Sequence, residues 1–256
     1  MKDLIEFYVT ELIKLRRTFA YWLTVLGAAI IPAVIVITYV YNWKLFVPLA
    51  NVNPWDELYA RAFNGLILFM PLYLILMIGL CFQIEHKANA WKQILVLPVS
   101  RAVVFFGKYL AVLTMAAAFL ILSFFFTYTA GQIIGMYKAQ LNFLGFNPNF
   151  FTLLDFSINV SISILAIVAI HFWLGFRVKN LVSTLGVGLA GIALAVLMNG
   201  KGGLADFFPY AYPIMLLNYV PAPDKGIFEG FQWVSLVYFI VFSMLAFLRF
   251  RKSFIA

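Results

Sequence analysis

Residues 19–41 read FAYWLTVLGAAIIPAVIVITYVY, without one Asp, Glu, Lys or Arg. A helix needs about 20 mostly apolar residues to cross the ~30 Å hydrocarbon core of a bilayer. Inside lipid, only a helix or a closed barrel satisfies its own backbone hydrogen bonds. The stretch therefore reads as a membrane span. Its apolar run is too long for a signal peptide and no small-residue cleavage site follows it, so it is expected to stay in the mature chain. Five more stretches meet the same test: 63–82, 103–131, 156–176, 181–198 and 233–248. The third span is long enough to tilt or to project beyond the lipid.

Of 256 residues, 64% are hydrophobic and 11% charged, where an ordinary soluble domain has roughly 25% charged. Mean hydropathy is +0.98. A soluble fold of this size cannot hide so much apolar surface. Soluble, disordered and fibrous classes are excluded, which leaves an all-α integral membrane protein of six transmembrane helices, one domain over residues 1–256. The net charge is +8, but the basic residues sit at the ends of apolar stretches, so nucleic acid is not an expected partner. Thirteen of the 18 Lys and Arg fall on one side of a six-span arrangement and five (Lys44, Arg61, Lys138, Lys201, Lys225) on the other. The excess places both termini in the cytoplasm. The lone Cys81 excludes an intrachain disulfide and reads as a small buried side chain.

The segments between spans carry more information. In residues 1–18, Leu4, Tyr8, Leu12 and Leu15 recur at helical spacing with Asp3, Glu6, Glu11 and Lys14 largely between them. This reads as a helix lying on the cytoplasmic membrane surface, or as a simple topogenic flank. Residues 83–108, QIEHKANAWKQILVLPVSRAVVFFGK, face the same side. Trp91, Ile94 and Leu95 form an apolar face at helical spacing, Pro98 stops the helix, and Ser100 can cap the next one. A short helix with an exposed aromatic face is expected, of a kind that docks in a partner's groove or lies against lipid. The outer segment 199–232 contains LADFFPYAYPIMLLNYV, too short and too proline-broken to cross. With Pro209, Pro213, Tyr210, Tyr212 and Tyr219 it reads as a re-entrant hairpin, or as an aromatic belt segment lying flat. Trp43 and Trp55 in the first outer loop read as interfacial anchors.

No catalytic constellation emerges. There is no G-x-x-x-x-G-K-[ST] sequence, since Gly107-Lys108 is followed by Tyr109. His86 and His171 do not form H-E-x-x-H, so neither a metal site nor a cofactor site is expected in this chain. His171 reads as an interfacial histidine, and Lys108 as a residue that snorkels to the inner interface. Deeper in the spans there is no charged residue, which argues against an ion-driven carrier. The pattern fits a transporter powered from outside the membrane, and uncharged aromatic spans suit an amphiphilic cargo. The small-residue pairs Gly186/Ala190, Gly191/Ala195 and Ser157/Ser161 permit close helix approach, and six helices are few for enclosing a large cargo, so a two-fold dimer is plausible. The competing classes are a membrane-embedded enzyme acting on lipid or peptide, and an ATP-independent channel or carrier.

Residues 83–108 resemble the first cytoplasmic loop of ABC-2 permeases of ATP-binding-cassette transporters. In that pattern an acidic residue (Glu85) precedes a leucine-rich turn (Ile94, Leu95, Leu97), then Pro98-Val99-Ser100-Arg101, then Lys108 opening span three. Asn89, Trp91 and Lys92 are similar to the lantibiotic- and bacitracin-export permeases, although many ABC-2 members have Gly-Thr where this chain has Asn89-Ala90. The six spans, the amphipathic N-terminus and the broken outer segment extend the resemblance over the whole chain. It implies that residues 83–100 hold a coupling helix that sits in a groove of a separate cassette ATPase, where ATP and Mg are bound. Carried over, the contact comprises Glu85, His86, Lys87, Asn89, Trp91, Lys92, Ile94, Leu95, Leu97, Pro98, Ser100 and Arg101, with Trp91 and the leucines as anchors and Glu85 and Arg101 fixing the loop. An outer gate would be formed by Phe208, Pro209, Tyr210, Tyr212 and Pro213. The implied protein is an exporter permease in a bacterial inner membrane, serving antibiotic resistance or export, paired with a second copy or a homologous permease.

Overall fold

The computed structural model describes residues 2–48, 52–96, 98–198, 203–217 and 229–252. Its helices are α1 (Lys2–Arg16), α2 (Phe19–Tyr41), α3 (Pro54–Lys87), α4 (Trp91–Val96), α5 (Arg101–Tyr137), α6 (Phe150–Gly175), α7 (Leu181–Met198), α8 (Ala211–Met215) and α9 (Gly230–Lys252), and no strand occurs among the described residues. Six of them are long and apolar enough to cross a membrane: α2, α3, α5, α6, α7 and α9. These are the six spans the sequence indicates, with different edges. α3 begins at Pro54 rather than in the sixties because the Asn53 side chain accepts from Trp55 N and proline at the first turn leaves no orphan donor. α5 begins at Arg101, where Ser100 Oγ accepts from Val103 N at 3.3 Å, the cap expected of that serine.

α3 is the axis of the bundle. It is buried along its length, from Trp55 through Met70 to Phe82, by α2, α5, α6, α7 and α8. α9 lies along α6, and α2 along α5. Leu26, Ile30, Val34 and Ile37 form an exposed apolar stripe on α2, and Val237, Ile240, Val241 and Met244 one on α9. Those faces suit lipid. Since lipid is as apolar as leucine, polar ties and close packing hold the helices together. Thr24 Oγ1 and Tyr73 Oη lie 2.8 Å apart, and Tyr73 Oη donates to Met115 O at 3.2 Å, joining α2, α3 and α5. Gln232 Nε2 donates to Asn159 Oδ1 at 2.8 Å and Ser235 Oγ to Ile162 O at 2.7 Å, joining α9 to α6.

Trp55 is not an interfacial anchor. It is fully buried, its Nε1 donates to Phe143 O at 3.0 Å and Phe146 O at 3.2 Å, and its ring lies where Gly131 has no side chain. Of the small-residue pairs, Gly191 and Ala195 are buried, with Gly191 against the ring of Tyr210, whereas Gly186 meets nothing within 4 Å. A Cβ at Gly131 would fall 2.3 Å from Trp55 Cζ3. Gly131→Ala is therefore expected to displace the indole and cost about 1–3 kcal/mol, read as lost thermal stability with a shifted tryptophan emission. Gly186→Ala should leave stability unchanged or raise it by up to about 1 kcal/mol.

Candidate functional site

The charged residues that belong together come from three separate elements. α1 packs on α5, with Phe7 filling the space left at Gly107 and the Tyr8 hydroxyl 2.9 Å from Thr114 Oγ1. The helix expected over residues 1–18 is present, with Phe7, Glu11 and Leu15 buried against the bundle and Ile5, Val9 and Ile13 facing outward. That packing carries Glu11 to Lys108. The Lys108 ammonium donates to Glu11 Oε2 at 2.7 Å and to Glu85 Oε1 at 2.9 Å, and all three side chains are at most 3% exposed. Lys14 adds a half-buried cation paired with Glu11, and lies 3.6 Å from Glu85 Oε1. Lys108 thus does not snorkel to the interface: two carboxylates hold it inside the bundle.

The aromatic face of α4 is turned the same way. Trp91 is 9% exposed and Ile94 is buried with it, while Lys92, Gln93 and Val96 face outward, Val96 at 84%. The exposed aromatic handle expected here is an internal wedge instead. The Trp91 ring lies 5.5 Å from that of Phe176 and 6.1 Å from that of Phe250, at the ends of α6 and α9, and 5.9 Å below the Lys108 ammonium, a cation–π distance. Trp91 Nε1 donates to His86 Nδ1 at 3.2 Å, so His86 Nε2 carries the proton given to Gly175 O at 2.8 Å. Arg101 Nη1 donates to Arg251 O at 2.5 Å. Glu85 and Arg101 thus have polar partners in α1, α5 and α9.

Asn89 has φ 47°, in the left-handed region that suits glycine and, next best, asparagine. Asparagine at this position therefore fits the turn that joins α3 to α4. Lys87, Lys92, Asn89, Pro98 and Ser100 are exposed. Leu97 and Tyr219 lie outside the described residues, as does the side chain of Leu95.

The second group of expected site residues lies against the spans. Pro209, Tyr210, Tyr212 and Pro213 are buried and Phe208 is half-buried, with α8 packed on α3, α6, α7 and α9. His171 is fully buried against the bundle, and its Nε2 lies 2.9 Å from the Tyr210 hydroxyl. His171 and Gly175 are one turn apart, so a single turn of α6 receives Tyr210 from one group and His86 from the other. Asp155, one residue before the expected start of span four, falls inside α6, with Oδ2 buried and without a hydrogen-bond partner among the described residues. Among the described residues no cluster of His, Cys, Asp and Glu could hold a metal.

Glu11 is buried, which raises a carboxyl pKa, but Lys108 and Lys14 outweigh this and hold it below its ordinary value. A depressed pKa stabilises the docked state above the ordinary carboxylate range and ceases to do so as pH falls through the depressed value. α1 is therefore expected to stay docked through neutral pH and to loosen only as pH falls below the ordinary carboxylate range, read as protease cleavage within α1. Lys108→Met leaves two buried carboxylates without their cation and should cost about 3–5 kcal/mol, read as thermal unfolding in detergent. Adding Glu11→Gln and Glu85→Gln should restore most of it.

The model of the ABC-2 family transporter proteins matches residues 8–195 of this chain, from α1 to α7. Comparison with curated proteins finds no match.

Proposed function

Since the chain belongs to the ABC-2 family of transporter proteins, we propose that it is the membrane-spanning subunit of an exporter, driven by ATP hydrolysed on a separate cassette ATPase. The observation that carries this is the build of the 88–100 turn. It joins the two longest helices of the described chain, its inner face is wedged among four helix ends, and its outer face is open. A short element so placed cannot move without moving α3, α5, α6 and α9. The partner then grips Lys92, Gln93 and Val96 on the outside, while Trp91 and Ile94 pass the motion inward.

The cargo we assign is amphiphilic, a peptide antibiotic, drug or lipid-like molecule, because the spans offer aromatic and apolar surface. The protein works as a dimer with a second copy or a homologous permease, both termini in the cytoplasm of a bacterial inner membrane, the thirteen-to-five charge split giving the sidedness. Phe208, Pro209, Tyr210, Tyr212 and Pro213 form a re-entrant outer gate. Its tie to the coupling turn runs through the last turn of α6, where Tyr210–His171 and His86–Gly175 stand side by side. Transport needs two states of this assembly that nucleotide biases differently. An enzyme acting on lipid or peptide would need a polar pocket, and no observation favours one.

Lys92→Glu with Val96→Asp changes only outward side chains. It is expected to lower recovery of a co-expressed cassette ATPase by about tenfold or more with thermal stability unchanged. Recovery equal to that of the unaltered chain would count against the docking role. Trp91→Ala should behave differently, losing thermal stability as well.

A further inference from the structure

A cleft of about 410 Å³ opens between the first turn of α5 and the last turn of α9, lined by Arg101, Ala102, Phe247 and Arg251. The Arg101 bond to the Arg251 carbonyl fixes the two helix ends across it. Above it the seam is closed, where the Tyr109 and Ser243 hydroxyls lie 2.7 Å apart and the Phe106 ring lies 5.7 Å from that of Phe247. Arg251 is exposed and has no ion pair among the described residues. The acids at this end of the molecule, Asp3, Glu6, Glu11 and Glu85, lie on α1 and the end of α3 instead. Two apolar stripes run up from the cleft. Ala102, Phe106 and Leu110 are spaced by four on α5, and Arg251, Phe247, Met244 and Ile240 by four, three and four on α9, so each set shares one helix face. Phe106, Leu110, Met244 and Ile240 are exposed, on helices apolar enough to cross a membrane.

We infer that this cleft binds the phosphate headgroup of an anionic phospholipid of the inner leaflet, with the acyl chains along the two stripes. The inference is independent of the exporter reading. A guanidinium fork matches phosphate oxygens, and a basic pocket between helix ends on the cytoplasmic side faces the anionic leaflet. Basic residues in the last turn of a helix also suit its dipole, a role that Arg249 and Lys252 share. Arg251 differs from them in lining the cleft. An acidic protein segment or a soluble phosphate would meet the arginines and leave the stripes uncovered. A zwitterionic lipid would cover the stripes and bring its own cation to Arg251. An amphiphile with a net negative head matches both. Phe250, beside Arg251, packs against Trp91, so a lipid held here steadies the end of α9 on which the 88–100 turn leans.

The test titrates the full chain, purified in detergent, with phosphatidylglycerol or phosphatidylcholine and reads retained lipid by native mass spectrometry. Phosphatidylglycerol is expected to be retained about tenfold more strongly than phosphatidylcholine. Arg251→Ala keeps the carbonyl that Arg101 bonds, and should lower that retention about tenfold with the thermal stability of the lipid-free protein unchanged. Arg249→Ala removes the same charge outside the cleft and should leave retention as it was. Glycerophosphoglycerol, the headgroup without chains, should not displace the lipid. Equal retention of the two lipids, equal loss in the two variants, or displacement by the free headgroup overturns the inference. A photo-cross-linking residue at Ala102, in the chain co-expressed with its cassette ATPase, should yield a lipid adduct. An ATPase adduct there instead overturns the lipid site and leaves the proposed function standing.

Discussion

A lysine ammonium buried away from water is costly unless opposite charge meets it with good geometry. Lys108 is met twice, by Glu11 from the N-terminal helix and Glu85 from the end of α3. Neither carboxylate belongs inside the bundle without the cation, and the cation does not belong there without both. The requirement holds α1 against α5 and fixes the last turn of α3 beside the first turns of α5. The short α4 must then close the gap between two immobilised helix ends. The indole of Trp91, 5.9 Å from the same ammonium, completes the cluster from below.

That constraint makes the turn a braced element rather than a loose connection. Its inner face touches α3, α6 and α9 through His86, Phe176 and Phe250, and its outer face, with Lys92, Gln93 and Val96, is exposed, the face that meets the ATPase in the proposed function. In the proposed function, a push on that outer face passes inward through the aromatic contacts of Trp91. The final turn of α6 shares one hydrogen bond with each of the two groups of expected site residues, which in the proposed function is the route from the turn to the segment around Tyr210.

The spans were legible because each is a continuous apolar run of bilayer length, a property of composition that no tertiary contact overrides. What the sequence could not show is which way a half-apolar face turns. Trp91 and Ile94 at helical spacing fit a face for another protein as well as a face for the chain's own bundle, and the latter holds. Leu4, Tyr8, Leu12 and Leu15 likewise suit a membrane surface or a helix groove. One signal was available: Glu11 stands between Phe7 and Leu15 at spacings of four, a carboxylate in the middle of an apolar stripe, which calls for a buried cation. Lys108 in a span raised the matching question from the other side. Trp55 and His171 gave no such signal, because their partners, the Phe143 carbonyl and the Tyr210 hydroxyl, are distant in sequence and could be found only from the fold.

The most direct measurement is a pair of spin labels, one at Val96 and one at exposed Phe207, in the ATPase-bound protein with and without trapped nucleotide. The distance between them should change with nucleotide in the unaltered chain, and the change should be lost in Lys108→Met with the ATPase still bound. An identical change in both proteins, or none in the unaltered chain, would contradict transmission through the Lys108 cluster.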